Sequence, residues 1–190
     1  MSEYAKIIPI ANQILKKHDL CDNCLGRLFS KKLHLSSNKL LGKKLHKKRN
    51  LTKKCYICKN LFENLNHFLK IMIDVSSDYS FQTFSVGAII KPSIVDRDDC
   101  IRSQFKLRGI DSIKTDITKE LAKAFSKKTK HTVDNRNPEF TFTLNFKDES
   151  CQIHSKSITL SGRYIKSMRG MSQKQKSCEN CSGKGCRFCN

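Results

Sequence analysis

The chain has 190 residues, 38% hydrophobic and 28% charged, which favours a folded domain with a smaller appendage over a disordered chain. No apolar run approaches the roughly 20 residues of a membrane span, and the N-terminus lacks a signal-peptide pattern, so we expect a cytoplasmic protein without a membrane partner. Thirty-seven lysines and arginines against 17 acidic residues give a net charge of +20, which indicates a polyanionic partner.

The first predicted element is a helix over residues 4–18, where isoleucines recur at helical spacing. The segment between residues 30 and 50 follows, with leucines interleaved among lysines. This pattern predicts one or two short amphipathic helices. Because so small a segment buries little apolar surface, it needs a further source of stability.

Two C-x2-C pairs flank this segment, and each pair can present two thiolates to one tetrahedral zinc ion. The four predicted ligands are Cys21, Cys24, Cys55 and Cys58. Gly26 suits a tight turn beside the first pair. In a cytosolic protein, disulfides explain the pairs less well, and a thioredoxin-type motif would use a single pair. We therefore predict a structural zinc site.

The middle of the chain predicts an α/β domain. In chain order, we expect a helix over residues 61–77, a strand over 80–92, a helix within 95–107, a helix over 112–129, and strands over 139–146 and 150–162. The strand at 139–146 alternates most clearly, since Phe140, Phe142, Leu144 and Phe146 share one face. The order strand, helix, helix, strand, strand predicts a mixed sheet covered by helices.

A second cysteine cluster lies at residues 178–189, with the spacing C-x2-C-x4-C-x2-C. Its members are Cys178, Cys181, Cys186 and Cys189. Zinc is the expected ion, and an iron–sulfur cluster is the alternative, although the spacing differs from that of ferredoxins. Four thiolates leave no open position on zinc, so we predict no catalysis at either cluster. Cys100 and Cys151 stand alone, and we expect both to be small buried apolar residues.

Basic residues are concentrated towards the two ends of the chain. Residues 23–62 contain twelve lysines and arginines and no acid, whereas residues 66–158 contain fifteen basic and twelve acidic residues. This distribution favours nucleic acid over a membrane or an acidic protein. The candidate phosphate contacts are Lys43, Lys44, Lys47, Lys48, Arg49, Lys53 and Lys54, followed by Arg163, Tyr164, Lys166 and Arg169. Tyr164 could also stack on a base.

Several segments together resemble the archaeal members of the tenth pseudouridine synthase (Pus) family. They are CDNCLGRLF, CYICKNLF, FQTFSVGAIIKPSIVDRDD, FKLRGIDSIKTDITKELAK and GRYIKSMRGMSQ, which leads into the final cysteine cluster. The resemblance covers residues 19–190. It implies a zinc-bearing accessory part and a tRNA-docking THUMP domain, which in this family precede a catalytic domain with an essential aspartate. We find no residue here that matches the catalytic-domain motif.

The motifs and the resemblance together predict a helical zinc-binding unit at 1–62, a THUMP-like α/β domain at 63–160, and a basic linker with a four-cysteine, zinc-ribbon-like tail at 161–190. The leading hypothesis is a tRNA-binding accessory module of a synthase that acts on the TΨC arm. Its partners would be tRNA and a separate catalytic subunit. One alternative is a fragment whose catalytic half is encoded downstream, and another is a zinc-dependent protein-interaction adapter. A role beside a tRNA methyltransferase or thiouridylase also stays open.

Overall fold

The computed structural model describes residues 3–30, 33, 37–46, 53–156 and 162. The chain divides into two compact units, residues 1–156 and 157–190. The second cysteine cluster and the basic residues from Arg163 to Arg169 lie outside the described residues. Within the described ranges, no helix is both long and apolar enough to cross a membrane.

The first unit contains, in its described part, six α-helices and a four-stranded sheet. The helices are α1 (Glu3–Lys17), α2 (Asp22–Ser30), α3 (Asn38–Leu45), α4 (Leu65–Ser76), α5 (Pro92–Gln104) and α6 (Ile113–Thr129). The strands are β1 (Thr83–Ile89), β2 (Thr132–Val133), β3 (Phe140–Asn145) and β4 (Ser150–Ser155). A single 3₁₀ turn at Leu61–Glu63 precedes α4.

The sheet has the strand order β2-β1-β3-β4. β1 runs parallel to both of its neighbours, and β3 pairs antiparallel with β4. The two-residue strand β2 lies on one side of β1, so the chain must pass the start of β1 to begin β3 on the other side. Glu139 secures this crossing, because its carboxylate accepts hydrogen bonds from the backbone amides of Gln82 and Thr83. The predicted mixed sheet is confirmed.

One face of the sheet carries the core of the α/β part. Paired residues on β1 and β3 point to the same side, and helices α4 and α6 pack on that side. Phe84, Phe125 and Phe142 are fully buried there, with ring centroids 4.9 Å apart for Phe84 and Phe125 and 5.2 Å apart for Phe125 and Phe142. Such tilted and edge-to-face ring contacts stabilise a core beyond the area that they bury.

Several boundaries differ from the sequence-based expectations. The strand predicted to close at Pro92 ends at Ile89, and Pro92 instead begins α5. Proline is tolerated there because the first residue of a helix has no acceptor within the helix for its backbone N–H. The strand predicted over 150–162 is assigned as β4 only to Ser155. The sequence analysis missed β2, because two residues carry no readable alternation.

Candidate metal centre and basic surface

The first two cysteine pairs meet in space. Cys21 lies just before α2 and Cys24 in its first turn, whereas Cys55 and Cys58 lie in a turn that precedes the 3₁₀ segment. All four are buried free thiols, and their sulfur atoms all lie within 4.8 Å of one another. They form, within the described residues, a group that could hold a metal ion.

The spacing of the sulfur atoms suits a tetrahedral ion. Cys21 Sγ and Cys58 Sγ are 3.6 Å apart, close to the edge of about 3.8 Å expected for a tetrahedron with metal–sulfur bonds of about 2.3 Å. Burial raises the pKa of the Cys24 thiol, so a metal ion would have to displace its proton. A closed set of four sulfur ligands leaves no open coordination position, which fits a structural role.

The turn that carries the second pair depends on a residue that the sequence analysis did not single out. Lys59 and Asn60 have positive φ angles of 49° and 68°. Asparagine tolerates this left-handed conformation better than most residues. Its side-chain oxygen accepts a hydrogen bond from the backbone N–H of Cys55 at 2.8 Å, which closes the turn around both ligands.

Gly26 has a different role from the predicted tight turn. It lies inside α2, where α3 crosses so closely that a Cβ atom at Gly26 would sit 1.7 Å from the carbonyl oxygen of Asn38. Gly42 makes the reciprocal approach, since its Cβ would sit 1.9 Å from the carbonyl oxygen of Asp22. The expectation of a turn was wrong because glycine here permits close helix packing, and the sequence carries no direct sign of which neighbour approaches.

Arg27 connects the metal-binding region, which comprises α2, α3 and the turn at residues 55–60, to the α/β part. Its side chain on α2 is fully buried and forms a salt bridge with Asp98 on α5, which is also fully buried. A second salt bridge, at 3.2 Å, joins it to Asp116 on α6, and the carbonyl oxygen of Asp111 accepts a further hydrogen bond at 3.1 Å. Asp98 in turn accepts a hydrogen bond from the backbone N–H of Ile113, the first residue of α6. We call Arg27, Asp98 and Asp116 the Arg27 cluster.

Burial changes the proton affinity of Asp116 in the Arg27 cluster. Burial raises the pKa of Asp116 to about 6, and the neighbouring Arg27 offsets only part of this effect.

A second contact joins the two regions, because Arg97 on α5 donates hydrogen bonds to the carbonyl oxygen of Ile57, between Cys55 and Cys58. Helix α2 and the turn that carries Cys55 and Cys58 are therefore tied to the α/β part by buried and partly buried polar contacts.

The predicted phosphate contacts are only partly described. Lys43 and Lys44 are exposed in the last turn of α3, and Lys53 and Lys54 are exposed just before Cys55. Lys53 forms an ion pair with Asp19 at 3.3 Å, and both side chains are exposed to solvent. Lys47, Lys48, Arg49, Arg163, Tyr164, Lys166 and Arg169 fall outside the described residues, as do the second-cluster ligands Cys178, Cys181, Cys186 and Cys189.

Neither of the two isolated cysteines is fully buried as predicted. Cys100 is exposed on α5, so the expectation of a buried residue was wrong. It falls on the outward face of a helix that buries only Ile94, Asp98 and Ile101. Cys151 on β4 is half-buried, and burial raises the pKa of its thiol to about 11.

Comparison with known proteins identifies the α/β part. Residues 68–145 match the family model described as the archaeal Pus10 THUMP domain. Over 189 residues, the whole chain is 70% identical to the tRNA pseudouridine synthase Pus10 of Nitrosopumilus maritimus, of which it covers 50%. The chain is therefore similar, over its full length, to about half of a tRNA pseudouridine synthase Pus10. The tRNA pseudouridine synthase Pus10 of Cenarchaeum symbiosum is 36% identical over 90% of this chain and 42% of that protein.

The chain spans about half the length of these curated Pus10 relatives. The match at 68–145 runs from α4 to the end of β3, so it leaves the four-cysteine group outside the THUMP model. Among solved structures, a 4-thiouridine synthetase in complex with RNA and bound ATP aligns over 51% of this chain and 22% of its own, with a TM-score of 0.33 and 18% identity. At this level the likeness does not bear on function.

Proposed function

We propose that this chain is the tRNA-binding part of a pseudouridine synthase that acts on the TΨC arm. The observation that carries the proposal is the THUMP domain at 68–145 in a chain 70% identical to a tRNA pseudouridine synthase. The net charge of +20 supplies the long-range attraction that a polyanion such as tRNA requires. A cytoplasmic location is part of the same proposal.

The proposed ligand of the four-cysteine group is one zinc ion, bound by Cys21, Cys24, Cys55 and Cys58. Sulfur-only coordination with tetrahedral spacing favours zinc among the common divalent ions. The zinc ion would cross-link α2 to the turn at 55–60 and would have no catalytic role. A second zinc at residues 178–189 and the division of the chain at residues 62 and 160 remain part of the proposal.

The residues that catalyse the isomerisation of uridine to pseudouridine are proposed to lie outside the described residues. The aspartates of the described part mostly have structural partners. Asp98 and Asp116 bind Arg27, Asp99 binds Arg102, and Asp134 accepts hydrogen bonds from two backbone amides of its own turn. Whether a catalytic domain is joined to this chain or is a separate subunit is the point on which the module and fragment hypotheses differ.

The test is tRNA binding and pseudouridine formation measured together, with zinc-loaded protein and an unmodified tRNA transcript. We expect binding that weakens steeply as salt rises, because each neutralised phosphate releases counterions, and no pseudouridine. A chain that fails to bind tRNA at low salt would favour the protein-interaction adapter instead. Turnover by the chain alone would show that catalytic residues lie within it.

A further inference from the structure

The near-neutral charge count of residues 66–158 does not show which of the charged side chains reach the surface. Two acids of this stretch, Asp98 and Asp116, have side chains only 0% and 14% exposed, because both bind Arg27. The lysines of α6, in contrast, point outward. Two of the twelve acidic side chains are thus enclosed while the lysines of α6 face solvent, and a charge count along the sequence cannot show this.

Several exposed lysines of α6 and its C-cap follow one side of the helix, and Lys114 and Lys128 are exposed outside this set. Its buried residues Ile113, Ile117, Leu121 and Phe125 recur every four positions and face the core. Lys119, Lys123 and Lys127 recur on the opposite side, the C-cap residue Lys130 follows them, and all four are exposed. At 1.5 Å per residue the helical part of this set, from Lys119 to Lys127, extends about 12 Å. We call these four residues the α6 lysine row.

Two features could explain lysines here without a ligand, and neither explains the whole row. Lys127 lies in the last turn of α6, where cations favourably face the helix dipole. That argument does not apply to Lys119 and Lys123, which lie in the middle of the helix. Lys119 contacts Asp111 at 2.7 Å and Lys123 contacts Glu120 at 3.7 Å, yet the two lysine side chains remain 55% and 65% exposed. Such exposed pairs are weak, so the ammonium groups can also contact a phosphate.

The α6 lysine row adjoins the basic surface of the metal-binding region. A cleft of about 550 Å³ separates the start of α3 from α6, and Lys39 and Lys123 both line it. One turn after Lys39 comes Lys43, one of the proposed phosphate contacts. Asp22, Glu63 and Glu120 also line the cleft, which disfavours a phosphate inside it. Phosphates would therefore lie along the two edges of the cleft, beside Lys39 and Lys123.

We propose that the α6 lysine row is a second phosphate-binding surface, which together with the lysines of α3 contacts one continuous stretch of RNA backbone. This inference rests on the proposed function. It adds a contact surface on the THUMP domain itself, and it assigns to the Arg27 cluster the role of holding the two surfaces at a fixed distance.

The test is a salt titration of tRNA affinity for the metal-loaded 190-residue chain and for the triple variant Lys119→Gln, Lys123→Gln, Lys127→Gln. Glutamine keeps the helix propensity of lysine and removes the charge. The matched control neutralises three exposed lysines on other elements, Lys6→Gln, Lys91→Gln and Lys147→Gln. We expect the α6 variant to lower the slope of log affinity against log salt by about 2 to 3, and the control to leave it nearly unchanged.

A second variant separates charge from folding. Replacing the same three α6 lysines with arginine keeps the charge, so the salt slope should stay at the wild-type value. The inference fails if the α6 glutamine variant binds like wild type, or if the control variant loses as much affinity. In both cases wild-type tRNA binding would persist and the proposed function would stand. Absence of tRNA binding by the wild-type chain would instead overturn the proposed function and this inference with it.

Discussion

Arg27 and Asp98 are, within the described residues, the two charged side chains that are completely buried. A buried ion pair contributes little net stability when compared with apolar residues of the same shape, but it is costly to break. Its main effect here is to specify how α2 docks against α5 and α6. The pair therefore defines the relative placement of the metal-binding region and the THUMP domain.

Replacing Arg27 with leucine should lower the free energy of unfolding by about 3–5 kcal/mol, because the buried Asp98 loses its bound guanidinium and keeps only Arg102, at 3.5 Å, and the backbone N–H of Ile113. Urea unfolding of the metal-loaded protein measures this. Lys53→Ala provides the comparison, since it removes an ion pair with Asp19 that is exposed on both sides and should cost less than about 1 kcal/mol. Equal losses in the two variants would contradict the proposed importance of burial.

Asp116 should make stability depend on pH. Its pKa is about 6 in the folded protein against an ordinary value of 3.8, so the folded state binds the proton more tightly than the unfolded state. This contribution is therefore complete below about pH 4 and is lost as the pH rises through 6, with a size of up to about 3 kcal/mol. The difference in unfolding free energy between wild type and Asp116→Asn should change between about pH 4 and 6 and be constant above about pH 7. A difference that is constant over the whole range would refute the assignment.

At the scale of elements, the contact between α2 and α3 is the least tolerant of added volume. Gly26→Ala should cost about 3 kcal/mol or more, because the new methyl group would overlap backbone atoms of α3 that cannot move aside. Gly87→Ala on β1 is the matched control, since its Cβ would meet its nearest neighbour, Thr143 Oγ1, at an ordinary 3.5 Å. Thermal unfolding and metal content would be measured for both. Similar melting temperatures would show that the helices can separate.

Elements with strong periodicity were predictable from the sequence, and elements defined by distant contacts were not. α6 and β3 were found because their apolar residues repeat every four and every two positions. The pairing of the two cysteine motifs followed from ligand spacing. α2 was missed, since a nine-residue helix that contains Gly26 has little local signal. Arg27 could not be assigned either, because its partner Asp98 lies 71 residues away.

Considered as a whole, the described part of the molecule combines a region centred on four cysteines with an α/β part centred on aromatic residues, and the buried apolar residues of both form one cluster. α2, α3 and the turn at 55–60 enclose the four cysteines, whereas Phe84, Phe125 and Phe142 pack between the sheet and its helices. Structural zinc contributes its binding free energy directly to folding. Regions with separate sources of stability can open separately, so metal loss should not affect both equally.

Removing the metal, by chelation or by Cys55→Ser, should unfold the metal-binding region first. We expect amide protons to lose protection from exchange in α2, α3 and residues 55–60, while β1, β3 and α6 keep theirs. Affinity for tRNA should fall but not vanish, because the α6 lysine row remains ordered. Cys100→Ser is the control, since that exposed thiol lies outside the four-cysteine group and its loss should leave the metal stoichiometry at one for the described site. Simultaneous loss of protection throughout the described unit would show instead that the Arg27 cluster couples the two regions into a single cooperative fold.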